Sequence, residues 1–177
     1  ATPNTGYEVA RMYYIKEGTT EKVKFDGTFT MPASNVTVYV EFVKKDYTIT
    51  KVDLIGGTFS CVETATYGDS VTVTAVPDEG YEVKAMYYNQ TGTANIVNFE
   101  GTFTMPACNI DVYVEFVKIY TIAQVLEGKG TVTCTTSAKA GEEVTVSVKP
   151  SNLKVDFCEA YYITETLQQK VELYFDS

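Results

Sequence analysis

The chain repeats a long stretch of its own sequence. Residues 6–44 align without a gap with residues 80–118, and 26 of the 39 aligned positions are identical. An internal period of this length indicates a tandem array of one small structural unit. Each unit of such an array contacts mainly its neighbours, so arrays supply length, spacing or valency more often than a single reactive centre. The repeat therefore constrains the architecture of the chain more than its chemistry.

A third copy of the unit is fainter. Tyr120-Thr-Ile matches Tyr47-Thr-Ile, and Gly141-Glu-Glu-Val-Thr-Val matches Gly68-Asp-Ser-Val-Thr-Val. The segment that corresponds to Phe103–Phe116 is absent from this copy. We therefore expect the third copy to be shortened.

The period divides the chain into three parts. We predict the second half of a first repeat at residues 1–46, a complete repeat at 47–119 and the shortened third repeat at 120–177. Units near 5–77 and 78–151 would fit the same period, because a period fixes the spacing of units but not where each one closes. Since the chain starts within a repeat, we expect it to be a fragment of a longer protein.

Apolar and polar residues alternate with a period of two in every copy, which is typical of half-buried antiparallel strands. The clearest apolar runs are Val36, Val38, Val40 and Phe42; Val71, Val73 and Ala75; Ile110, Val112, Val114 and Phe116; and Val144, Val146 and Val148. Gly and Pro residues between the runs are typical of turns. In the complete copy they separate predicted strands at about residues 47–54, 57–63, 70–76, 81–89, 95–104 and 110–118. The sequence predicts an all-β fold of tandem antiparallel modules of about 73–74 residues, each a small β-sandwich or a partly open barrel. Equivalent positions such as Val38 and Val112 are expected to fill equivalent cores.

One segment departs from this pattern. Leu167, Val171 and Tyr174 have the spacing of an amphipathic helical stripe. The corresponding segments of the other two copies read as strand. A short helix and a strand are both open for residues 165–174.

Composition excludes some classes of partner. The formal net charge is −9, with 14 Lys and Arg against 23 Asp and Glu, so the field of the chain would repel a nucleic-acid backbone or an anionic lipid surface. The longest apolar stretches are only a few residues, too short to cross a bilayer. We predict no nucleic-acid partner and no membrane insertion.

Catalytic chemistry has little support. The chain contains no His, which removes the commonest general base and the commonest metal ligand. Glu41 and Glu115 occupy the same repeat position, as expected for solvated strand faces and not for one catalytic pair. No Gly-rich phosphate loop and no calcium loop is found. We predict that the chain is not an enzyme and has no catalytic residue, no metal site and no cofactor.

The four cysteines do not form a metal-binding or redox motif, because no two of them are spaced as C-x-x-C. Cys61 and Cys134 share a repeat position and are expected to be small buried apolar residues. We predict free thiols. Disulfides between Cys61 and Cys108 and between Cys134 and Cys158 are the alternative, since an even count permits pairing.

Pairs of adjacent tyrosines recur in all three copies, as Tyr13-Tyr14, Tyr87-Tyr88 and Tyr161-Tyr162. Neighbouring residues on a strand point to opposite faces, so one Tyr of each pair can anchor the core while the other stands outward. Tyr14, Tyr88 and Tyr162 are the candidate ligand-binding residues, for a glycan or a protein partner. The alternative is structural: the outer Tyr packs across the junction between repeats or covers its own sheet.

The string Phe-Thr-Met-Pro-Ala-x-Asn-[Val/Ile]-x-Val occurs at Phe29–Val38 and at Phe103–Val112. Pro forces Met31 and Met105 into an extended conformation, so we expect each thioether to plug a sheet end, while the following Asn35 or Asn109 caps the entry to the next strand.

With the Gly-Tyr-Glu-Val segments, this string resembles the divergent internalin-type B-repeat of bacterial surface proteins. The resemblance covers essentially the whole chain. The third copy departs from it, because Pro150-Ser-Asn-Leu-Lys replaces Pro-Asp-Glu-Gly-Tyr and the Met-Pro-Ala loop is missing. The resemblance implies a secreted or wall-attached bacterial protein, with neighbouring repeats of the same parent as partners and no catalytic residues of the family's own.

Three functions fit these observations. The first, which the resemblance favours, is a non-catalytic stalk, spacer or adhesion-associated module of a surface protein. A binding module that takes a host or cell-surface glycan or protein on outward tyrosines is the second. The third is a fibre subunit that self-assembles by strand addition between unpaired strand edges.

Overall fold

The computed structural model describes residues 1–127, 129–150, 161–163 and 170–172. These residues form β-strands and contain no helix. The strands are β1 (Tyr7–Lys16), β2 (Lys22–Lys24), β3 (Val36–Lys44), β4 (Asp46–Val52), β5 (Gly57–Ser60), β6 (Thr64–Thr66), β7 (Ser70–Thr72), β8 (Thr74–Pro77), β9 (Tyr81–Gln90), β10 (Ile96–Asn98), β11 (Thr102–Thr104), β12 (Ile110–Thr121), β13 (Gly130–Thr133), β14 (Ser137–Lys139), β15 (Ser147–Pro150), β16 (Tyr161–Ile163) and β17 (Lys170–Glu172). The all-β prediction is confirmed.

The strands form several small sheets, none of which closes into a barrel in the described part of the chain. By its contacts the chain divides into two compact units, Ala1–Lys118 and Ile119–Ser177. The first unit contains both strongly matching copies of the repeat. The second contains the described part of the faint third copy.

The two strong copies build the same three-stranded arrangement. In residues 1–46 the strand order is β2-β1-β3, and in the next copy it is β10-β9-β12, with antiparallel pairing throughout. Both long strand pairs contain one register shift, between Val9 and Arg11 in β1 and between Glu115 and Phe116 in β12. A register shift of this kind is a β-bulge, which bends and twists a strand pair locally.

The complete copy adds strands that residues 1–46 do not have. β4 pairs with β12 in parallel, which places Ile49 beside Ile110, and β6 extends this sheet. β7 pairs with β11, and β5 pairs with β8. The parallel pair departs from the predicted antiparallel arrangement. Parallel neighbours need a long crossover connection, which the strands between β4 and β12 supply here.

A cluster of nine buried residues forms the core of the complete copy; in residues 1–46, Tyr13 and Tyr14 are also buried. Alternate residues of β12 point into it, as period-two alternation requires. Its fully buried or nearly buried members are Ile49, Phe59, Val71, Val73, Phe103, Met105, Ile110, Val112 and Val114. The segment from β4 to β8 supplies the first four of these residues, and the segment from β11 to β12 supplies the rest.

Val38 and Val112 do not fill equivalent cores, so that expectation is wrong. Val112 is 0% exposed, whereas 47% of Val38 is exposed. Both residues lie opposite a tyrosine of the neighbouring strand, Val38 opposite Tyr14 and Val112 opposite Tyr88. The difference arises on the other side, because strands β4 to β8 cover the sheet of β12 but not that of β3.

The second unit repeats parts of the same design. The end of β12 pairs with β14, and β13 pairs with β15. β16 and β17 form a hairpin in which Tyr162 lies opposite Val171, the register that Tyr88 and Val97 have in the complete copy. Because β17 is a strand, a helix through Lys170–Glu172 is wrong; the rest of residues 164–177 lies outside the described part.

Candidate functional site: the two tyrosine faces

An aromatic triad forms on one face of each three-stranded sheet. In residues 1–46 it consists of Tyr14, Phe25 and Phe29, whose ring centroids are 4.6 to 6.4 Å apart. In the complete copy the equivalent triad is Tyr88, Phe99 and Phe103, with separations of 4.9 to 6.2 Å. Tilted and offset rings at these distances are the favoured geometry for aromatic pairs. In both copies, the three rings of the triad come from nearby residues of the same copy.

The outward position predicted for Tyr14 and Tyr88 is wrong. Only 8% of Tyr14 is exposed, and Tyr88 is half-buried against the core of the complete copy. Both rings lie on the same side of the sheet as Val38 and Val112, which the strand register places opposite them, and they contact the other two rings of their triads. The side chain of Tyr162 lies outside the described part of the structure. Ligand binding by these three residues stays a prediction.

The opposite face carries a second aromatic feature, a stacked tyrosine pair. Tyr13 stacks on Tyr39 with a centroid distance of 5.0 Å and an angle of 11° between ring planes, and Tyr87 stacks on Tyr113 at 5.0 Å and 12°. Each pair is directly opposite across antiparallel strands, where side chains contact most closely. The sequence analysis missed Tyr39 and Tyr113. The alternation of apolar and polar residues shows that both tyrosines point away from the apolar face. It does not show which ring each one contacts, because that depends on the strand register.

Charged side chains flank each stacked pair. Nζ of Lys22 lies 4.6 Å from the centroid of the Tyr13 ring, a cation–π distance. Tyr39 covers Tyr13 from the other side, so Tyr13 is only 6% exposed. Tyr13 and Tyr14 point to opposite faces of the sheet, as predicted. The ring of Tyr13 is nevertheless covered, because Tyr39 stacks on it. Tyr39 keeps 41% of its surface exposed.

On this face of each sheet a glutamate forms an ion pair with a cationic side chain. The glutamates are at equivalent repeat positions, but the cations are not. Nε of Arg11 lies 2.9 Å from Oε2 of Glu41, and Nζ of Lys84 lies 2.9 Å from Oε2 of Glu115. The hydroxyl of Tyr87 donates to Oε1 of Glu115 at 3.1 Å. Hydrogen bonds from Lys84 and then Tyr87 lower the pKa of Glu115, whereas partial burial, followed by the hydrogen bond to Glu115, raises the pKa of Tyr87. Opposite pKa shifts of two neighbouring groups are found in structural ion-pair clusters as well as in reactive sites.

Both copies therefore carry the same triad, the same stacked pair and the same glutamate at the same spacing. A family model described as "Divergent InlB B-repeat domain" matches residues 1–46 and, separately, residues 47–119. The chain belongs to the divergent InlB B-repeat family. The suspected resemblance is confirmed. Searches of curated proteins and of solved structures found no match.

B-repeats are typical of bacterial surface proteins, and the chain is a tandem repeat module of this kind. No helix that could cross a membrane occurs among the described residues. In the same part of the chain, no group of three or more His, Cys, Asp or Glu side chains is arranged to hold a metal ion.

A junction joins the two matched B-repeat segments. Gly6 packs against the ring of Tyr67 so closely that a Cβ at Gly6 would overlap it, and φ of Gly6 is +79°. The backbone N–H of Lys45 donates to the carbonyl of Gly6 at 2.8 Å, and the N–H of Tyr67 donates to the carbonyl of Lys45 at 2.9 Å. Tyr7 adds an edge-on contact to Tyr67 at 6.3 Å. Gly6 and Tyr7 belong to the repeated Gly-Tyr-Glu-Val segment, whose part in a junction the sequence alone did not show.

The cysteines of the B-repeats are not paired in the described structure. Cys61, Cys108 and Cys134 are free thiols, each half-buried, so a Cys61–Cys108 disulfide is not formed. Cys61 and Cys108 pack against the core of the complete copy, and this burial raises the pKa of both thiols. A raised pKa keeps a thiol protonated and poorly reactive at neutral pH. Cys158 lies outside the described residues.

Proposed function

We propose that this chain is a stiff, non-catalytic spacer of a bacterial surface protein, displayed outside the cell as part of an adhesion-associated stalk. The observation that carries the proposal is the junction of Gly6, Lys45 and Tyr67. A spacer that holds a fixed distance needs joints that do not hinge freely. Here the joint combines backbone hydrogen bonds with a ring packed on a glycine that has no side chain to displace it.

Family membership and charge support the same role. Tandem β modules that contact their neighbours transmit position along an array, since each unit fixes the next one. The net charge of −9 keeps the surface soluble and disfavours adsorption to anionic polymers. The Lys44–Asp69 pair, at 3.9 Å and well exposed, adds little to the joint.

The test measures whether the junction is stiff. A fluorescent donor and acceptor, introduced as unnatural amino acids at the exposed equivalent positions Thr20 and Ala94, report the separation of the two repeats. We expect a single narrow distance distribution for the unchanged chain. A broad distribution would contradict the spacer proposal.

A pair of glycine variants isolates the joint. Gly6→Ala places a methyl group into the Tyr67 ring and is expected to broaden the distribution. Gly27→Ala is the matched control, because Gly27 also has a positive φ, +74°, but no atom within 4 Å of its Cβ position. Both variants carry the same backbone strain, so only loss of the packed joint separates them.

A second candidate function is binding of a host or cell-surface glycan or protein on the stacked tyrosine face. The observation that favours it is the exposed ring of Tyr39 lying flat on Tyr13, since flat aromatic platforms bind sugar rings and protein surfaces. Tyr39→Ala and Tyr113→Ala are expected to remove a signal on a glycan array or in a pull-down. If Tyr14→Ala and Tyr88→Ala, but not these two, remove it, the face assigned to the ligand is wrong.

A further inference from the structure

The two stacked tyrosine pairs have a geometry that suits a covalent bond between their rings. Tyr13 lies directly opposite Tyr39, and Tyr87 directly opposite Tyr113, on antiparallel strands, where opposite Cα atoms are only about 4.5–5.5 Å apart. In both pairs the ring centroids are 5.0 Å apart and the ring planes differ by 11° or 12°. Near-parallel rings at this distance are in van der Waals contact, so small side-chain rotations bring a carbon of one ring to a carbon of the other.

Composition makes tyrosine the aromatic group of this chain that is oxidised most easily. The chain has 14 Tyr and no Trp, and a Phe ring has no hydroxyl from which a proton can leave. Loss of one electron and the phenolic proton from Tyr gives a neutral radical, whose unpaired electron is shared with the ring carbons beside the oxygen. The half-buried thiols of Cys61 and Cys108 compete poorly for oxidants, because burial raises their pKa and keeps them protonated.

Other tyrosine contacts have a different geometry. Tyr14 and Tyr88 contact phenylalanine rings, which cannot form a phenoxyl radical. Tyr7 meets Tyr67 edge to face, with ring centroids 6.3 Å apart and ring planes at 73°. Among the described residues, the two stacked pairs are therefore the tyrosines best placed to couple with each other.

One of the two pairs also has a proton acceptor. The hydroxyl of Tyr87 donates to Oε1 of Glu115 at 3.1 Å, and Nζ of Lys84 lies 2.9 Å from Oε2 of the same carboxylate. Partial burial is the first cause of the raised pKa of Tyr87, so its hydroxyl keeps the proton at neutral pH and must lose it together with the electron. In the other pair, Nζ of Lys22 lies 4.6 Å from the centroid of the Tyr13 ring, and a positive charge there opposes removal of an electron.

We propose that the pairs Tyr87–Tyr113 and Tyr13–Tyr39 are oxidative modification sites, at which two stacked tyrosines become one dityrosine cross-link. Each ring loses one electron and its phenolic proton, and a bond forms between two ring carbons that lie beside the oxygens. The hydrogen atoms on these two carbons then move to the oxygens, which restores both aromatic rings. The pair has lost two hydrogen atoms, which one molecule of hydrogen peroxide takes up as two molecules of water, with a haem peroxidase transferring the electrons singly. The carboxylate of Glu115 receives the proton of Tyr87 and passes it to solvent.

The cross-link joins the two long strands of each sheet, β1 to β3 and β9 to β12. A covalent bond between these strands opposes their separation and restricts the unfolded chain, as a disulfide does. The inference does not depend on the spacer role, because cross-linking and the stiffness of the junction at Gly6 are measured separately. Either result can fail while the other holds.

The test treats the purified chain, at low concentration, with a haem peroxidase and hydrogen peroxide. A thiol reductant then opens any disulfide before the intact mass is measured. We expect single chains that have lost two and then four hydrogen atoms, together with the blue fluorescence of dityrosine. Digestion with proteases that cut after Lys and Glu identifies the partners, because Lys24 lies between the tyrosines of one pair and Glu100 between those of the other.

Phenylalanine variants assign each cross-link to its pair. Tyr113→Phe keeps the ring but removes the hydroxyl, so it is expected to abolish the cross-link of the complete copy and to leave the other one. Tyr39→Phe is the matched variant at the same repeat position and is expected to have the reverse effect. The cross-link that remains in each variant also shows that the chain is folded. Tyr67→Phe, outside both pairs, is expected to change neither cross-link.

A second pair of variants tests the proton acceptor. Glu115→Gln leaves an amide that accepts a hydrogen bond but takes no proton at neutral pH, so it is expected to slow coupling in the complete copy about tenfold or more. Glu41→Gln is the matched control, because Glu41 has the same repeat position but pairs with Arg11. It is expected to leave the coupling rate in residues 1–46 unchanged.

Three results would overturn the proposal: a folded chain that loses no hydrogen atoms, cross-links that join two chains instead of two strands of one chain, or a cross-link pattern that Tyr113→Phe and Tyr39→Phe leave unchanged. The role given to Glu115 is overturned if Glu115→Gln and Glu41→Gln slow coupling equally or if neither slows it.

Discussion

Residues 6–44 and 80–118 have similar sequences but lie in different surroundings. The stacked tyrosines of the two copies have the same 5.0 Å separation, and the aromatic triads agree within a few tenths of an ångström. Burial nevertheless differs at the aliphatic positions, since Met31 and Val38 are exposed where Met105 and Val112 are fully buried, whereas Tyr13 and Tyr14 are buried in residues 1–46. Strand register and aromatic contacts are thus encoded within the second half of the repeat. The cluster of buried aliphatic residues forms only in the complete copy, where the first half of the repeat covers the second.

Asn35 and Asn109 show the same contrast in polar contacts. The side-chain oxygen of Asn109 accepts a hydrogen bond from the backbone N–H of Thr48 at 3.0 Å, which fixes the start of β4. In residues 1–46, the side-chain amide N–H of Asn35 instead donates to Oε2 of Glu17 at 2.6 Å. The asparagine of the repeated motif therefore has a different hydrogen-bond partner in each copy. The predicted plug and cap roles apply to the complete copy, where the cap acts on β4 and not on the strand that follows Asn109.

The largest expected effect is a stability difference between the two methionines. Met105→Ala leaves a cavity in the core and is expected to cost about 2–5 kcal/mol. Met31→Ala removes an exposed side chain and is expected to change the free energy of unfolding by no more than about 0.5 kcal/mol. Urea unfolding of the two variants, at concentrations where the chain is monomeric, checks the difference. Equal losses of stability would show that Met31 is buried as Met105 is, which would contradict the difference between the two copies.

A smaller effect is expected for the stacked tyrosines, and here the copies should behave alike. Tyr39→Ala and Tyr113→Ala each remove one ring of a stack, which is worth about 0.5–1.5 kcal/mol beyond the area it buries. If the stack is encoded locally, the part of the loss that double-mutant cycles with Tyr13 or Tyr87 assign to the ring pair is the same in both copies. A coupling energy present in one copy only would mean that the covering strands also hold the stack.

The smallest expected effect concerns the pKa of Glu115. Lys84→Met removes the strongest cause of its lowered pKa and Tyr87→Phe the next one, so both variants are expected to raise that pKa toward the ordinary value, Lys84→Met further. NMR titration of the side-chain carboxyl measures the shift. Because the folded-state pKa is lowered, the cluster stabilises the fold at neutral pH and loses this contribution as pH falls through the folded-state pKa. An unchanged pKa in both variants would assign the shift to another cause.

The sequence was sufficient for what depends on local pattern. Alternating apolar residues predicted the all-β fold and most strand positions, including β9 and β12. The sequence was not sufficient to predict which strands pair when they are distant along the chain. Residues 95–104 read as one strand, but a turn at Gly101, with φ of +68°, sends β10 to β9 and β11 to β7. The parallel pairing of β4 with β12 has no signature in the sequence of either strand.

The candidate site was limited by the same cause. Alternation places the two tyrosines of each pair on opposite faces but does not say which face is covered. Tyr14 and Tyr88 were assigned outward because nothing in the sequence shows that Phe25, Phe29 and their counterparts converge on them. The covering of Tyr13 by Tyr39 depends on the register across the strand pair, which the turn and the bulge set together.

The most direct test compares the exposure of Val38 and Val112 in a single experiment. NMR of methyl-labelled valine in dilute solution, with a soluble nitroxide added, measures the access of solvent to each side chain. We expect strong broadening of the Val38 methyl signals and none for Val112, although the two residues lie at the same repeat position. Equal broadening, or equal protection, would contradict the conclusion that burial depends on coverage by the first half of the repeat.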